Sequence, residues 1–251
     1  NIVDPAGGGA ITANLVFRDL VLDAYNSPGP LVVVEGEGVD GLVFDNVVFR
    51  NFRDVAVRLT GASAINIVDP AGGGAITANL EIEGCSFRGG SAGLFVQGAA
   101  KSIGVSNSVF AKLTHGVRFA TPASNVLQSF SLRGVTVFSS QLGLALESPF
   151  PPDAKISVMD NLFARMQGPP VAQVATNADP KNLVFARNLV DAVSPPPPQN
   201  WKAVGSGFEI GPVNFASEDP SSADFLKPDK SGKVIDAADK NRGYLGAIPP
   251  N

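Results

Sequence analysis

Arg58, Phe95 and Arg118 hold the same place, second, in three short apolar segments: VRLTG from Val57, LFVQG from Leu94 and VRFAT from Val117. In extended chain, side chains alternate between faces, so a residue flanked by inward apolar neighbours points to solvent. Lying side by side as strands ~4.8 Å apart, these segments would put the Phe95 ring within the ~6 Å cation–π reach of both guanidiniums. The same column takes in Val33 of VVVEG and Ala145 of LALES, and the next outward column reads Glu35, Thr60, Gln97, Ala120 and Glu147. A ring between guanidinium forks, with an amide and a carboxylate at its rim, suits an acidic sugar. The candidate glycan-binding residues are therefore Arg58, Phe95, Gln97, Arg118 and Glu147. The competing account is a self-satisfied ladder, with arginine stems shielding the ring and each guanidinium paired to a carboxylate.

Other chemistries find less to work with. One Cys and one His leave no internal disulfide, no zinc set and no Cys–His nucleophile pair. No serine sits in a nucleophile-elbow pattern. Cys85 falls where a side chain should turn inward and reads as a small core residue. His115, in Thr114-His115-Gly116, reads as a loop or edge histidine. Asp45 and Glu83 share one phase in consecutive segments, about 5 Å apart, and could attract a cation. Arg18 holds that phase in the preceding segment, so charge compensation is the simpler reading. A net charge of −4 argues against nucleic acid as a partner. No apolar stretch approaches a membrane span, so insertion is not expected. Starting at Asn1, the chain reads as part of a longer one, and a monomer is expected.

These columns exist only if the segments stack, and a repeat says that they do. A unit of two short apolar strands around a turn-tolerant residue starts at Leu15, Leu42, Leu80, Ile103, Phe130, Ile156 and Leu183, with gaps of 27, 38, 23, 27, 26 and 27. Its fifth position reads Asp19, Asn46, Gly84, Asn107, Gly134, Asp160 and Arg187. Asn, Asp and Gly tolerate a left-handed backbone, which predicts a sharp bend there and an irregular one at Arg187. The VRLTG-type strand follows each bend. Three strands per ~25 residues predict a coil rather than a sandwich. The fold class is all-β: a single-stranded right-handed parallel β-helix of about seven to eight rungs, spanning residues 1–194, with an irregular C-terminal capping segment. Its regular part would be roughly 35–40 Å long.

The gap of 38 has its own cause. Residues 1–15, NIVDPAGGGAITANL, recur unchanged at 66–80, and removing that block leaves 23, an ordinary rung. The second copy reads as an extra loop at the same phase as the first. Its GGG opens no helix, which weakens a phosphate-cradle reading. Residues 195–251 form a Pro-rich linker and a cap packed on the helix. The cap's aromatics, Trp201, Phe208, Phe215, Phe225 and Tyr244, are expected to cover the open end.

The repeat, the Asn46 and Asn107 turn positions and the tail DFLKPDKSGKVIDAADKNRGYLGAIPP together resemble the pectate-lyase-like superfamily of bacterial right-handed parallel β-helix proteins. In it Asn46 and Asn107 would belong to an asparagine ladder between the second and third strands. The resemblance implies a secreted or cell-surface bacterial protein and a bias toward polysaccharide partners. It implies no particular activity, since this architecture hosts enzymes and non-catalytic modules alike. Lyase chemistry would use Arg58 or Arg118 as base beside a calcium site, but Asp54, Glu35 and Glu147 are spread over several rungs. Hydrolysis of the polygalacturonase type needs central aspartates and a Gly-His-Gly element, which Thr114-His115-Gly116 lacks. The expected function is a non-catalytic extracellular module that binds polysaccharide or serves as a rigid scaffold. The alternative is a lyase acting on uronate-rich polymers. No cofactor is expected, and calcium is the one ion this acid set could recruit.

Overall fold

The computed structural model describes residues 15–25, 28–35, 41–60, 78–97, 100–120, 127–147, 150–173, 180–194, 207–229 and 245–248. Nearly all regular structure is strand. In chain order these are β1 (Leu15–Arg18), β2 (Val21–Asp23), β3 (Val32–Glu35), β4 (Leu42–Asp45), β5 (Val48–Arg50), β6 (Val55–Thr60) and β7 (Ala78–Glu83). Next come β8 (Ser86–Val96), β9 (Ala100–Ser106), β10 (Val109–Phe119), β11 (Ser129–Arg133), β12 (Thr136–Phe138) and β13 (Leu142–Leu146). The last are β14 (Lys155–Met159), β15 (Leu162–Ala164), β16 (Val171–Gln173), β17 (Leu183–Ala186), β18 (Asn188–Asp191) and β19 (Phe208–Gly211).

The strands stack in parallel on three walls. The first wall runs β1-β4-β7-β9-β11-β14-β17, and the second runs β2-β5-β8-β10-β12-β15-β18-β19. The third joins β3 to β6, then the later halves of β8 and β10, then β13 and β16. Every unit pairs in the register its sequence implies: Leu15 with Leu42, Leu42 with Leu80, and on through Ile103, Phe130 and Ile156 to Leu183. This is a parallel β-solenoid. It is shorter than expected: about five turns, from β4 to β16, close all three walls around a buried interior, not seven to eight. The end rungs lack neighbours. β1 and β2 are half-exposed, and β17 and β18 have no third-wall partner among the described residues.

All seven fifth positions take the left-handed bend, with φ from 48° at Asn107 to 61° at Gly84 and Gly134. Arg187, expected to be irregular, bends like the rest at φ 52°. Its guanidinium offsets the strain by reaching back one rung to Asp160, at 2.7 and 3.1 Å. The asparagine ladder lies elsewhere than expected. Asn46 and Asn107 point outward to Asp19 and Glu83. The residues that follow such bends turn inward, and there Asn161 and Asn188 are buried. Asn161 Oδ1 accepts the Val135 N–H at 2.8 Å, and Asn188 Oδ1 accepts the Asn161 Nδ2–H at 2.9 Å. The ladder thus satisfies backbone that the bend leaves unpaired, between the first and second walls. Cys85 shares this column, buried as expected.

Inside the second wall, Phe49, Phe87 and Phe110 stack face to face at 4.6 and 4.5 Å. The second copy of the repeated block lies outside the described residues as far as position 77. Its last residues, Ala78 to Leu80, are strand rather than loop, with a register shift between Ala78 and Asn79. Trp201 and Tyr244 also lie outside the described residues, as does the Pro-rich stretch. Of the other tail aromatics, only Phe208 closes the end, against Phe163 and Phe185. Phe215 and Phe225 lie on Phe138, along the outer side of the second wall.

Candidate functional site

The third wall brings the expected column together. Phe95 pairs in register with Arg58 on one side and Arg118 on the other, with Val33 and Ala145 completing the row. Gly93 and Gly116 make the close approach possible. A Cβ at Gly93 would stand 2.5 Å from the Phe110 ring, and one at Gly116 2.6 Å from the Gly143 carbonyl oxygen. β8 and β10 each run 11 residues across the corner between the second and third walls, which they turn at the left-handed Gly89, Gly90 and Lys112.

Both guanidiniums lie over the ring, Arg58 at 5.6 Å and Arg118 at 5.1 Å from its centroid. Each such contact is worth about 0.5–1 kcal/mol, rising with desolvation. Phe95 is only 8% exposed and forms a small cluster with Val55, Ala92 and Ala120, apart from the main core. The ring is thus a support for the arginines rather than an open stacking platform.

The arginines also hold carboxylates. Arg58 donates to Asp54 at 2.7 Å, and Arg118 donates through Nε and Nη2 to one oxygen of Glu147 at 3.0 and 2.8 Å. All four side chains keep between 27% and 36% exposure, so these pairs are solvent-screened and worth at most about 1 kcal/mol each. Gln97 is half-buried at the end of β8. Glu35 and Thr60 are paired in register through their backbones.

Two polar atoms on this face have no hydrogen-bond partner although both are buried: Arg58 Nε and His115 Nδ1. His115 is neither in a loop nor at an edge. It sits mid-strand in β10, in register with Ala92 and Leu142, because the second- and third-wall strands run together there. Burial, and then the nearby Arg118 charge, hold its imidazole below the usual value. Sequence reasoning left it out of the site. Its spacing three residues before Arg118 was the available signal.

The Asp45–Glu83 pair behaves as charge compensation. Arg18 Nε holds Asp45 at 2.6 Å, and Glu83 accepts from Asn107 at 3.4 Å. Among the described residues, no three His, Cys, Asp or Glu side chains converge as a metal site. Comparison of the chain with known families, with curated proteins and with solved structures finds no match in any of the three.

Proposed function

We propose that this chain is a non-catalytic β-solenoid module that presents the Arg58–Phe95–Arg118 face to an acidic polysaccharide. The observation behind the reading is the placement of two half-exposed arginines against one buried ring, two rungs or about 9.6 Å apart along the coil. Guanidiniums held over a ring in this way lose little freedom on meeting a ligand carboxylate and can bind it with a planar fork. Gln97 and Glu147 at the rim would take hydroxyls. Because each arginine must share or exchange an internal carboxylate, single contacts are weak, and affinity would come from successive sugars along the face. The likeness to the pectate-lyase-like superfamily supports the same reading. With it we carry a secreted or bacterial cell-surface setting and a monomeric state.

The rigid-scaffold reading draws on the same ion pairs, since arginines already satisfied by Asp54 and Glu147 need no ligand. A lyase acting on uronate-rich polymers stands behind both. It would need Arg58 or Arg118 as base and carboxylates converging on calcium. Affinity electrophoresis through gels containing polygalacturonate, against gels containing its methyl ester, separates the first two. Selective retardation by the acid form, lost in the Arg58→Gln, Arg118→Gln double variant, is the result expected of a binding face. Equal mobility in every gel leaves only the scaffold.

A further inference from the structure

The outward column of the third wall alternates rung by rung. It reads Val33, Arg58, Phe95, Arg118 and Ala145, so a guanidinium stands on every second rung and an apolar side chain on the rungs between. The rung of Phe95 carries no charge on this face: its outward residues are Ala92, Phe95 and Gln97. Ala92 and the ring are buried there with Val55 and Ala120 from the rungs on either side. The arginines remain partly open. Arg58 gives Nη2 to Asp54, and Arg118 gives Nε and Nη2 to Glu147. Among the described residues, Nη1 of each makes no hydrogen bond, and neither Nη1 is shut away from solvent. Each arginine therefore keeps an N–H group that a ligand can reach.

A polymer laid along a strand stays on one rung and meets one arginine. Laid along the coil it crosses rungs and meets both, about 9.6 Å apart. An extended pyranose chain advances by close to one rung per sugar, and in a ribbon-like chain successive sugars turn their substituents to opposite sides. Carboxylates on alternate sugars then reach one side at the arginine spacing, and the sugar between them lies over the Phe95 rung. A carboxylate held down on that rung would lose water against Val55, Ala92 and Phe95, with no cation on the rung to receive it. A neutral sugar sets C–H groups on the same floor without that cost. Gln97, two residues after Phe95, offers an amide to its hydroxyl or acetamido group.

We propose that the ligand of this face is a polysaccharide of disaccharide repeat, a uronate alternating with a neutral sugar. It lies along the coil with successive uronates on Arg58 and Arg118 and the neutral sugar over Phe95. The inference rests on the acidic-polysaccharide reading above and names the class of polymer. Three hexasaccharides test it by calorimetric titration into the full chain at about 0.15 M salt, where non-specific charge attraction is screened. One alternates glucuronate with N-acetylglucosamine, one alternates glucuronate with N-acetylgalactosamine, and the third is hexagalacturonate. We expect at least one alternating ligand to match or exceed hexagalacturonate in affinity, although it carries half the charge. Arg58→Gln and Arg118→Gln should each weaken that ligand about tenfold or more, as loss of one hydrogen bond to a charged group implies. Hexagalacturonate binding more tightly than both alternating ligands overturns the proposal and leaves the acidic face standing. An alternating ligand whose affinity neither single variant changes also overturns it. Binding by none of the three overturns both.

Discussion

At the scale of single residues, the account turns on groups whose environment sets their state. Burial pushes the Cys85 thiol up to about 11, against weaker help from the Val47 and Glu83 backbone. The native thiol should therefore resist a disulfide reagent at about pH 8 and react fully on unfolding. Rapid labelling of the folded chain would contradict its place in the core. His115 carries the opposite sign of shift, with its folded value held below the unfolded ~6.5. The unfolded chain then binds more protons between those values, so stability is lost as the pH falls below about 6.5. Urea midpoints measured across that range should slope downward in the parent and less so in His115→Gln. Phe95→Ala should cost about 3 kcal/mol and release both arginines, although the ring lies outside the main core. The Arg–Phe–Arg column was legible because alternation and a fixed repeat place second residues on one side. His115 was not legible, because simple alternation gives no hint that β10 turns its corner at Lys112, which takes the left-handed bend at φ 58°.

At the scale of elements, the bends decide what the coil can do. Their left-handed residues were readable from Asn, Asp and Gly at one fixed position, and register followed from the apolar pattern. The buried ladder was harder to see. The inward position after each bend reads Leu20, Val47, Cys85, Ser108, Val135, Asn161 and Asn188, and only its last two members are amides. Asn46 and Asn107 belong to the outward column, one residue earlier. The two columns should separate cleanly in equilibrium unfolding. Asn161→Ala leaves the buried Val135 N–H without its acceptor and should cost about 1–3 kcal/mol. Asn46→Ala removes an exposed contact to Asp19 and should change stability by less than about 1 kcal/mol.

At the scale of the whole molecule, the described part of the tail beyond Gly211 is a side strap on the second wall. Val213, Phe225, Leu226 and Leu245 bury the outer positions Val109, Ala111, Phe138, Leu162, Ala164 and Leu189. Arg88 holds one part of this strap through Phe225, and Arg165 holds another through Glu218. The signal was present in the sequence: this outer second-wall column is charged at Asp23, Arg50 and Arg88, reads Ala111, Phe138 and Ala164 in the next three rungs, and returns to a charge at Asp191. A chain ending at Gly211 should bind a hydrophobic dye and lose more than about 3 kcal/mol. An unchanged dye signal would show that the strap covers nothing of consequence. Seven units in sequence do not guarantee seven closed turns, because the end units have neighbours on one side only.

In the function we propose, the coil holds two arginines against a buried ring so that they meet an acidic polymer without cleaving it. The most direct measurement is calorimetric titration of oligogalacturonate into the parent and the Arg58→Gln, Arg118→Gln variant. The recovered ligand should be checked, with and without calcium, for the absorbance of unsaturated ends. Binding to the parent, none to the variant, and an intact oligosaccharide are expected. Equal binding to both proteins, or unsaturated product released by the parent, would contradict this function.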